Sequence, residues 1–345
     1  MKKLRVIVLM HEDLVPPESV DGYSDKEINE WATEYDVLAG LEKLGHDVYS
    51  VGVGSDLGAI RGAFRETKAH VAFNLLVHFH GVAVYDQHVV SYMELLKKPY
   101  TGCNPRGLML ARDKGLSKRL LAAHRIRVPK FHVFPRGRRA RRPKHLEFPL
   151  LVKSVNEEAS LGISQASVVQ NDAKLKERID FMHETFGVDV IVEEYIEGRE
   201  LYVGVMGNQR LVTFPVWEMP FDELPDGAPH IATARVKFDL DYQKKYKIKT
   251  HRAEGLSPEQ EAEIAKLAKR CYRALSLSGY ARMDLRLSHD GKIYLLEANP
   301  NPDLKYGEDF AESAHSAGVQ YPDLLNRILG LGVSYQAEWK KNEVL

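Results

Sequence analysis

Arg282-Met283-Asp284-Leu285, followed by Leu295-Leu296-Glu297-Ala298-Asn299-Pro300, decides the fold. Between them stands Ser288-His289-Asp290-Gly291, and Asp-Gly between alternating apolar runs predicts two strands joined by a tight turn. Pairing brings Asp284, Glu297 and Asn299 together as hard oxygen ligands. Magnesium takes such ligands, one or two carboxylates completed by substrate phosphates. Arg282 stands two residues before Asp284, on the same strand face. A cation there suits phosphate or a developing oxyanion. Phosphoryl chemistry is the first expectation.

Outward from this hairpin, 345 residues are too many for one ordinary core, so two or three packed domains are expected. Lys+Arg and Asp+Glu both number 48, which gives no global field for a polyanion. The expected partners therefore exclude nucleic acid. Two cysteines, Cys103 and Cys271, are far apart and outside any metal spacing, which fits a reducing cytoplasm. The apolar run Leu4–Met10 is short and is followed by His11-Glu12-Asp13 with no cleavage site, so it reads as a buried strand. No window approaches a membrane span, and no membrane partner is expected.

Along the chain, strands are expected at 4–10, 46–53 and 69–76, with one helix over Lys26–Leu44 ending at Gly45. Alternating strand and helix indicates a parallel α/β domain up to about residue 100. Tyr100–Asn104 reads as a turn before a helix carrying Asp113, Lys114 and Lys118. Residues 130–134 read as extended, 148–154 and 166–170 as strands, 171–186 as a helix and 190–195 as a strand. Residues 201–206 and 209–215 form a hairpin around Gly207-Asn208. Residues 220–256 are weakly patterned and too long for a simple connector, which marks a functional or mobile loop. Ser257-Pro258-Glu259-Gln260 opens a capped helix, with Ile264, Leu267, Ala268, Cys271 and Leu275 on its buried face.

Lys153 ends a strand beside the small-residue loop Ala159–Ile163, where a lysine reaches phosphate oxygens while loop amides cradle them. Glu193-Glu194-Tyr195-Ile196-Glu197-Gly198-Arg199-Glu200 carries an acidic pair at a strand end, suited to an adenine amino group or ribose hydroxyls. Taken singly, Lys153 and Glu200 read equally well as solvated loop residues.

In order, Tyr100-Thr101-Gly102, Arg112-Asp113-Lys114 with Ser117-Lys118, Phe148–Lys153, Val192–Glu200, Ala281–Asp284 and Leu296–Asn299 resemble the ATP-grasp fold of the D-alanine–D-alanine ligases. The resemblance spans roughly residues 70 to 330. It implies three α/β (α+β) domains: an N-terminal parallel α/β substrate domain (1–104), a central ATP-grasp lobe (105–200), and a C-terminal lobe (201–345) with a mobile lid at 220–256. ATP would lie between the two lobes. Lys114 and Lys153 would contact its phosphates, and Ser160 to Gly162 would form the phosphate loop. Glu193, with Glu194 and Ile196 beside it, would meet the adenine, and Glu200 the ribose. Asp284, Glu297 and Asn299 would hold two Mg2+ ions, Mn2+ being an alternative, and Arg282 would stabilise the oxyanion. Lys245 and Tyr246 match the family's lid Lys-Tyr pair. Implied is a ligase that transfers phosphoryl from ATP to a carboxylate and couples the acyl phosphate to an amine, and a homodimer.

The family's amino-acid sites are not kept. Met10–Pro17, with Glu12, replaces its N-terminal Gly-Gly-x-Ser-x-Glu run. The loop at 80–87 keeps only His80, Gly81 and Asp86 of its pattern. Glu308 falls where a serine for the second D-alanine carboxylate is expected, and it would repel that carboxylate. Ala159 replaces a serine of the phosphate loop. A different amine is therefore expected, with Glu308 and Asp309 facing a cationic or hydroxyl-bearing one or pointing to solvent. The alternatives are a genuine D-alanine–D-alanine ligase and an ATP-binding regulatory protein. His78, His80 and His88 lack cysteine partners and helical spacing and do not read as a transition-metal site; His80 is placed near the acceptor or as a packed side chain. Arg136–Lys144, with six Arg/Lys, reads as an exposed interlobe loop.

Overall fold

The computed structural model describes residues 2–342 except 139, 157–161 and 226. These residues form three sheets. In the first, β1 (Arg5–His11) lies between β2 (Asp47–Val53) and β3 (Val71–Asn74), all parallel. β1 is buried on both faces, as parallel strands usually are. Ile7 and Leu9 join the larger core with Ile60, Phe64 and the helix Pro258–Ala274, whereas Val6, Val8 and Met10 pack with Leu324, Leu325 and Ile328. The helix Tyr321–Ser334 thus returns from the far end of the chain to cover the first sheet.

The second sheet is antiparallel, in the order β4 (Phe131–Phe134), β7 (Val190–Glu194), β5 (Leu150–Ser154), β6 (Val168–Val169). Its own small core, including Leu150, Val152, Ile179 and Val192, lies under the helix Asp172–Thr185. The third sheet runs β11 (His251–Arg252), β10 (Trp217–Met219), β8 (Gly198–Met206), β12 (Tyr280–Ser288), β13 (Ile293–Pro300), with β9 (Val212–Thr213) also on β8. β12 is therefore an inner strand, paired on both edges.

Several expectations are corrected. The single helix over 26–44 is two, Asp25–Glu30 and Ala32–Lys43, interrupted at Trp31 (φ −118°, ψ 16°). Trp31 is buried against the fold with Tyr23 and Tyr35 on its ring, so packing of the indole overrides helical continuity. Asp113 is not inside a helix. It separates Pro105–Arg112 from Lys114–Ala123, and its carboxylate caps the second by accepting the Leu116 amide. The expected strand at 166–170 shrinks to Val168–Val169 after a turn of 3-10 helix at Gln165–Ser167. The basic run 136–144 joins β4 to β5 within one sheet rather than linking lobes, and Arg142 pairs with Asp172 at 2.8 Å. Residues 220–256 hold two short helices, Ala234–Phe238 and Leu240–Lys245, pinned at the base by β10–β11 pairing.

Candidate active site

The β12–β13 register sets Asp284 opposite Glu297 and Arg282 opposite Asn299, with a bulge after Asp284. The Arg282 guanidinium forks onto Asp284, Nε to Oδ1 at 2.8 Å and Nη2 to Oδ2 at 2.9 Å. It also reaches Asp309 at 3.5 Å and lies 4.6 Å from the Tyr202 ring centroid. Burial would weaken the Arg282 charge, but Asp284 and then Asp309 hold it firmly protonated. Burial pushes the Asp284 carboxyl up, against the pull of Arg282 and with Glu297 adding to the rise. Glu297 goes the other way. Burial opposes its ionisation, yet Lys114, Lys153, Lys237 and Lys118 together hold it well below the ordinary carboxylate range.

Those lysines come from the facing elements. Lys114 opens its helix with Nζ 4.0 Å from Glu297, and its amide donates to the Val155 carbonyl just past β5. Lys153 on β5 is 6% exposed and pairs with Glu193 at 3.0 Å. Burial lowers the Lys153 ammonium, but Glu193 and Glu297 more than compensate and raise it. Lys118, 1% exposed, pairs with Glu193 at 3.2 Å and donates to the Leu296 carbonyl beside Glu297. Burial brings its ammonium down to about 8 despite Glu193. Lys118 thus ties the second sheet to β13.

Between these walls lies a cavity of about 1270 Å³. Lys114, Lys153, Arg282, Glu297, Asn299 and Glu308 line it, together with Lys237 from the segment 220–256. Two carboxylates and a side-chain amide on paired strands suit a hard cation that completes its shell with substrate oxygens. The Asn299 Nδ2 is buried with no hydrogen-bond partner, so the donor end of this amide is not spent on holding the fold. Among the described residues no group of three or more His, Cys, Asp or Glu could hold a metal alone.

Other expected residues lie elsewhere. Glu193 is committed to the two lysines, and Glu200 to Arg286 at 2.7 Å and the Tyr202 hydroxyl at 2.9 Å. Neither is on the cavity wall, nor are the half-buried Glu194 and Ile196. Asp86 is buried and ion-paired to Arg112, so it is the counter-ion of a cavity residue rather than a wall residue itself. Glu12 is exposed beside Gly54, off the wall. His78, not the exposed His80, lines the cavity. Burial, His11 and Arg112 lower its imidazole. Lys245 packs over Tyr246, 4.9 Å from the ring centroid, and neither touches the main cavity; Gln243, Lys244 and Lys247 do. The carbonyl of Gly162 accepts from Arg178, and Ser160 lies outside the described residues. Sequence reasoning missed Arg112 and Lys118 as working groups, although both sit in the quoted 112–118 motif. It missed Glu34 and Lys237 without any local signal.

A parallel α/β sheet followed by two antiparallel sheets that close on a lysine- and carboxylate-walled cavity is the architecture of an ATP-grasp ligase. The crystal structure of D-alanine–D-alanine ligase from Bacillus anthracis complexed with ATP superimposes on 99% of both chains with a TM-score of 0.74 and 23% identity, a likeness of fold. Residues 120–330, more than half the chain, match the family described as D-ala D-ala ligase C-terminus. The D-alanine–D-alanine ligase of Desulforudis audaxviator is 31% identical over 301 residues, 86% of this chain and 90% of that protein. The uncharacterized protein y4sG of Sinorhizobium fredii is 31% identical over 246 residues, 70% of this chain and 68% of that one. The chain belongs to the D-alanine–D-alanine ligase family and is an ATP-grasp ligase. No helix among the described residues is long and apolar enough to cross a membrane.

Proposed function

We propose that this ligase joins a carboxylate substrate to an amine other than D-alanine, at the expense of ATP. One observation supports the reading best: Arg282, Glu297 and Asn299 on the floor and Lys114 and Lys153 on the wall share one cavity, with Asp284 buried behind Arg282 and opposite Glu297 on the paired strand. Lys114 and Lys153 would bind the phosphates, with the purine and ribose beside the segment 193–200. Asp284, Glu297 and Asn299 would hold Mg2+, or Mn2+, as two ions. When bound, the metal would neutralise phosphate charge. The carboxylate would take the terminal phosphoryl group to give an acyl phosphate and ADP. The amine nitrogen would then attack the acyl carbon, with phosphate leaving and the nitrogen losing a proton. Arg282 would stabilise the charge that develops on the acyl oxygen. The same reading divides the chain at 1–104, 105–200 and 201–345, gives residues 220–256 the part of a lid, and makes the enzyme a cytoplasmic homodimer. Two free buried cysteines accord with a reducing compartment.

D-alanine as both substrates is the second reading, favoured by similarity to the Desulforudis audaxviator protein of that name. Against it stands Glu308 on the cavity wall, whose carboxylate repels an amino-acid carboxylate. ADP release measured across amino-acid pairs, with mass spectrometry of the products, separates the two. Release with D-alanine alone would overturn the first reading. Glu297→Gln should lower ADP release roughly a hundredfold or more, and full activity in that variant would remove the metal assignment.

A further inference from the structure

Lys114, Lys153 and Lys237 gather around Glu297, whereas Glu34 and Glu308, on the same cavity wall, each lie near Asp303 and form an acidic end with it; Glu30 and Glu312 line the cavity too. Glu34 is 6% exposed, lines the cavity, and receives no hydrogen bond or ion pair from any other described residue, its carboxylate being helped by its own backbone amide. Its charged neighbours are of the wrong sign. Asp303 lies close enough to oppose its ionisation, and is itself served by the Thr33 hydroxyl at 2.7 Å and the Lys305 amide at 2.9 Å. Lys305 is drawn to Asn29 and stands 3.8 Å from Glu308. Arg282 is already spent on Asp284 and Asp309. Burying a carboxylate without a cation is costly, and no described residue pairs with Glu34, so its place on the wall suits a positive group brought by a ligand.

We propose that the amine substrate carries a second, non-reacting cationic nitrogen, as a basic amino acid or a diamine does, and that Glu34, with Asp303 and Glu308, receives it. The inference rests on the ligase reading of the same cavity. The attacking nitrogen must be unprotonated to be nucleophilic, and a wall of carboxylates favours the protonated form of any amine beside it. The acidic end therefore serves a different nitrogen from the one that reacts. In agreement, burial lifts the Glu34 carboxyl to about 7, and burial, then Asp309 and Asp303, lift that of Glu308 against the pull of Lys305 and Arg282. A ligand cation relieves both.

Calorimetric titration of the full-length protein with Mg2+ and a non-hydrolysable ATP analogue tests this. L-lysine is compared with L-norleucine, and 1,5-diaminopentane with pentylamine, so that each pair differs in one cationic nitrogen. The cationic member should bind at least tenfold tighter, and Glu34→Gln and Glu308→Gln should each cut that preference severalfold. Equal binding within both pairs, no binding of either cation, or a preference untouched in both variants overturns the proposal. In turnover, Glu34→Gln should raise KM for the basic amine while kcat holds. A fall in kcat with KM unchanged would place Glu34 at the reacting proton instead, and so also overturns it. Cation preference without ADP release from any pair would sink the ligase reading alone. ADP release with neutral amines and no preference would sink only this one.

Discussion

At the residue scale, Glu34 also makes a prediction about folding. Its carboxyl is lifted by burial from 4.5 to about 7. Between those values the folded chain retains a proton that the unfolded chain has released, so stability falls as pH rises through the window. The contribution is complete below the unfolded value and gone above the folded one. Glu34→Gln has no proton to lose. The stability of the variant minus that of the parent should grow by about 2–3 kcal/mol between pH 4 and pH 8, read from urea unfolding at each pH. A flat difference would contradict a buried Glu34 carboxyl. Lys118 is a second case: it supplies one of two cations to the buried Glu193 and anchors the Leu296 carbonyl. Lys118→Met leaves Glu193 with Lys153 alone, and should cost about 3 kcal/mol in the same assay. A loss under 1 kcal/mol would mean that Lys153 suffices as the counter-ion.

At the element scale, the helix Pro258–Ala274 begins with a reciprocal cap, Ser257 Oγ accepting the Gln260 amide at 3.2 Å and Gln260 Oε1 accepting the Ser257 amide at 2.9 Å. Ser257→Ala should cost about 1 kcal/mol and leave ADP release unchanged, because this helix backs the third sheet away from the cavity. A stability loss accompanied by lost activity would show that the helix positions β12. Such a cap was legible in the sequence, as was the β12–β13 hairpin, because both are written in contiguous residues whose spacing fixes the geometry. The break at Trp31 was not, since it depends on where an indole packs. The same holds for the ion pairs Asp86–Arg112, Lys118–Glu193 and Glu200–Arg286, and for Thr33 with Asp303, 270 positions away. Packing of helices, strands and a loop from separate parts of the chain brings those partners together, and no local period records that packing. Motif resemblance therefore located the 112–118, 193–200 and 282–299 segments, while the partner of each charged side chain became readable only in three dimensions.

At the scale of the whole molecule, the cavity needs all three sheets. Glu34 comes from a helix of the first, Lys153 from the second, Arg282 and Glu297 from the third, and Lys237 from the segment above it. That segment rests on a small apolar cluster of Tyr202, Trp217, Met219, Phe221, Leu224, Val236 and Ile248, separate from the main cores. An element held by few buried contacts opens at low free-energy cost, and under the proposed function its closing would exclude water from a labile acyl phosphate. Lys244, Lys245 and Lys247 are exposed on it, so trypsin reports its opening directly. With Mg2+ and a non-hydrolysable ATP analogue, cleavage at these lysines should slow severalfold, and emission from Trp217, which lines the cavity, should shift together with the protection. Lys237 contributes to holding Glu297 ionised, so Lys237→Ala should raise KM for ATP roughly tenfold and weaken the protection in parallel. Equal cleavage with and without the analogue would show that residues 220–256 do not close on nucleotide. Protection that survives Lys237→Ala would assign closure to the apolar cluster alone.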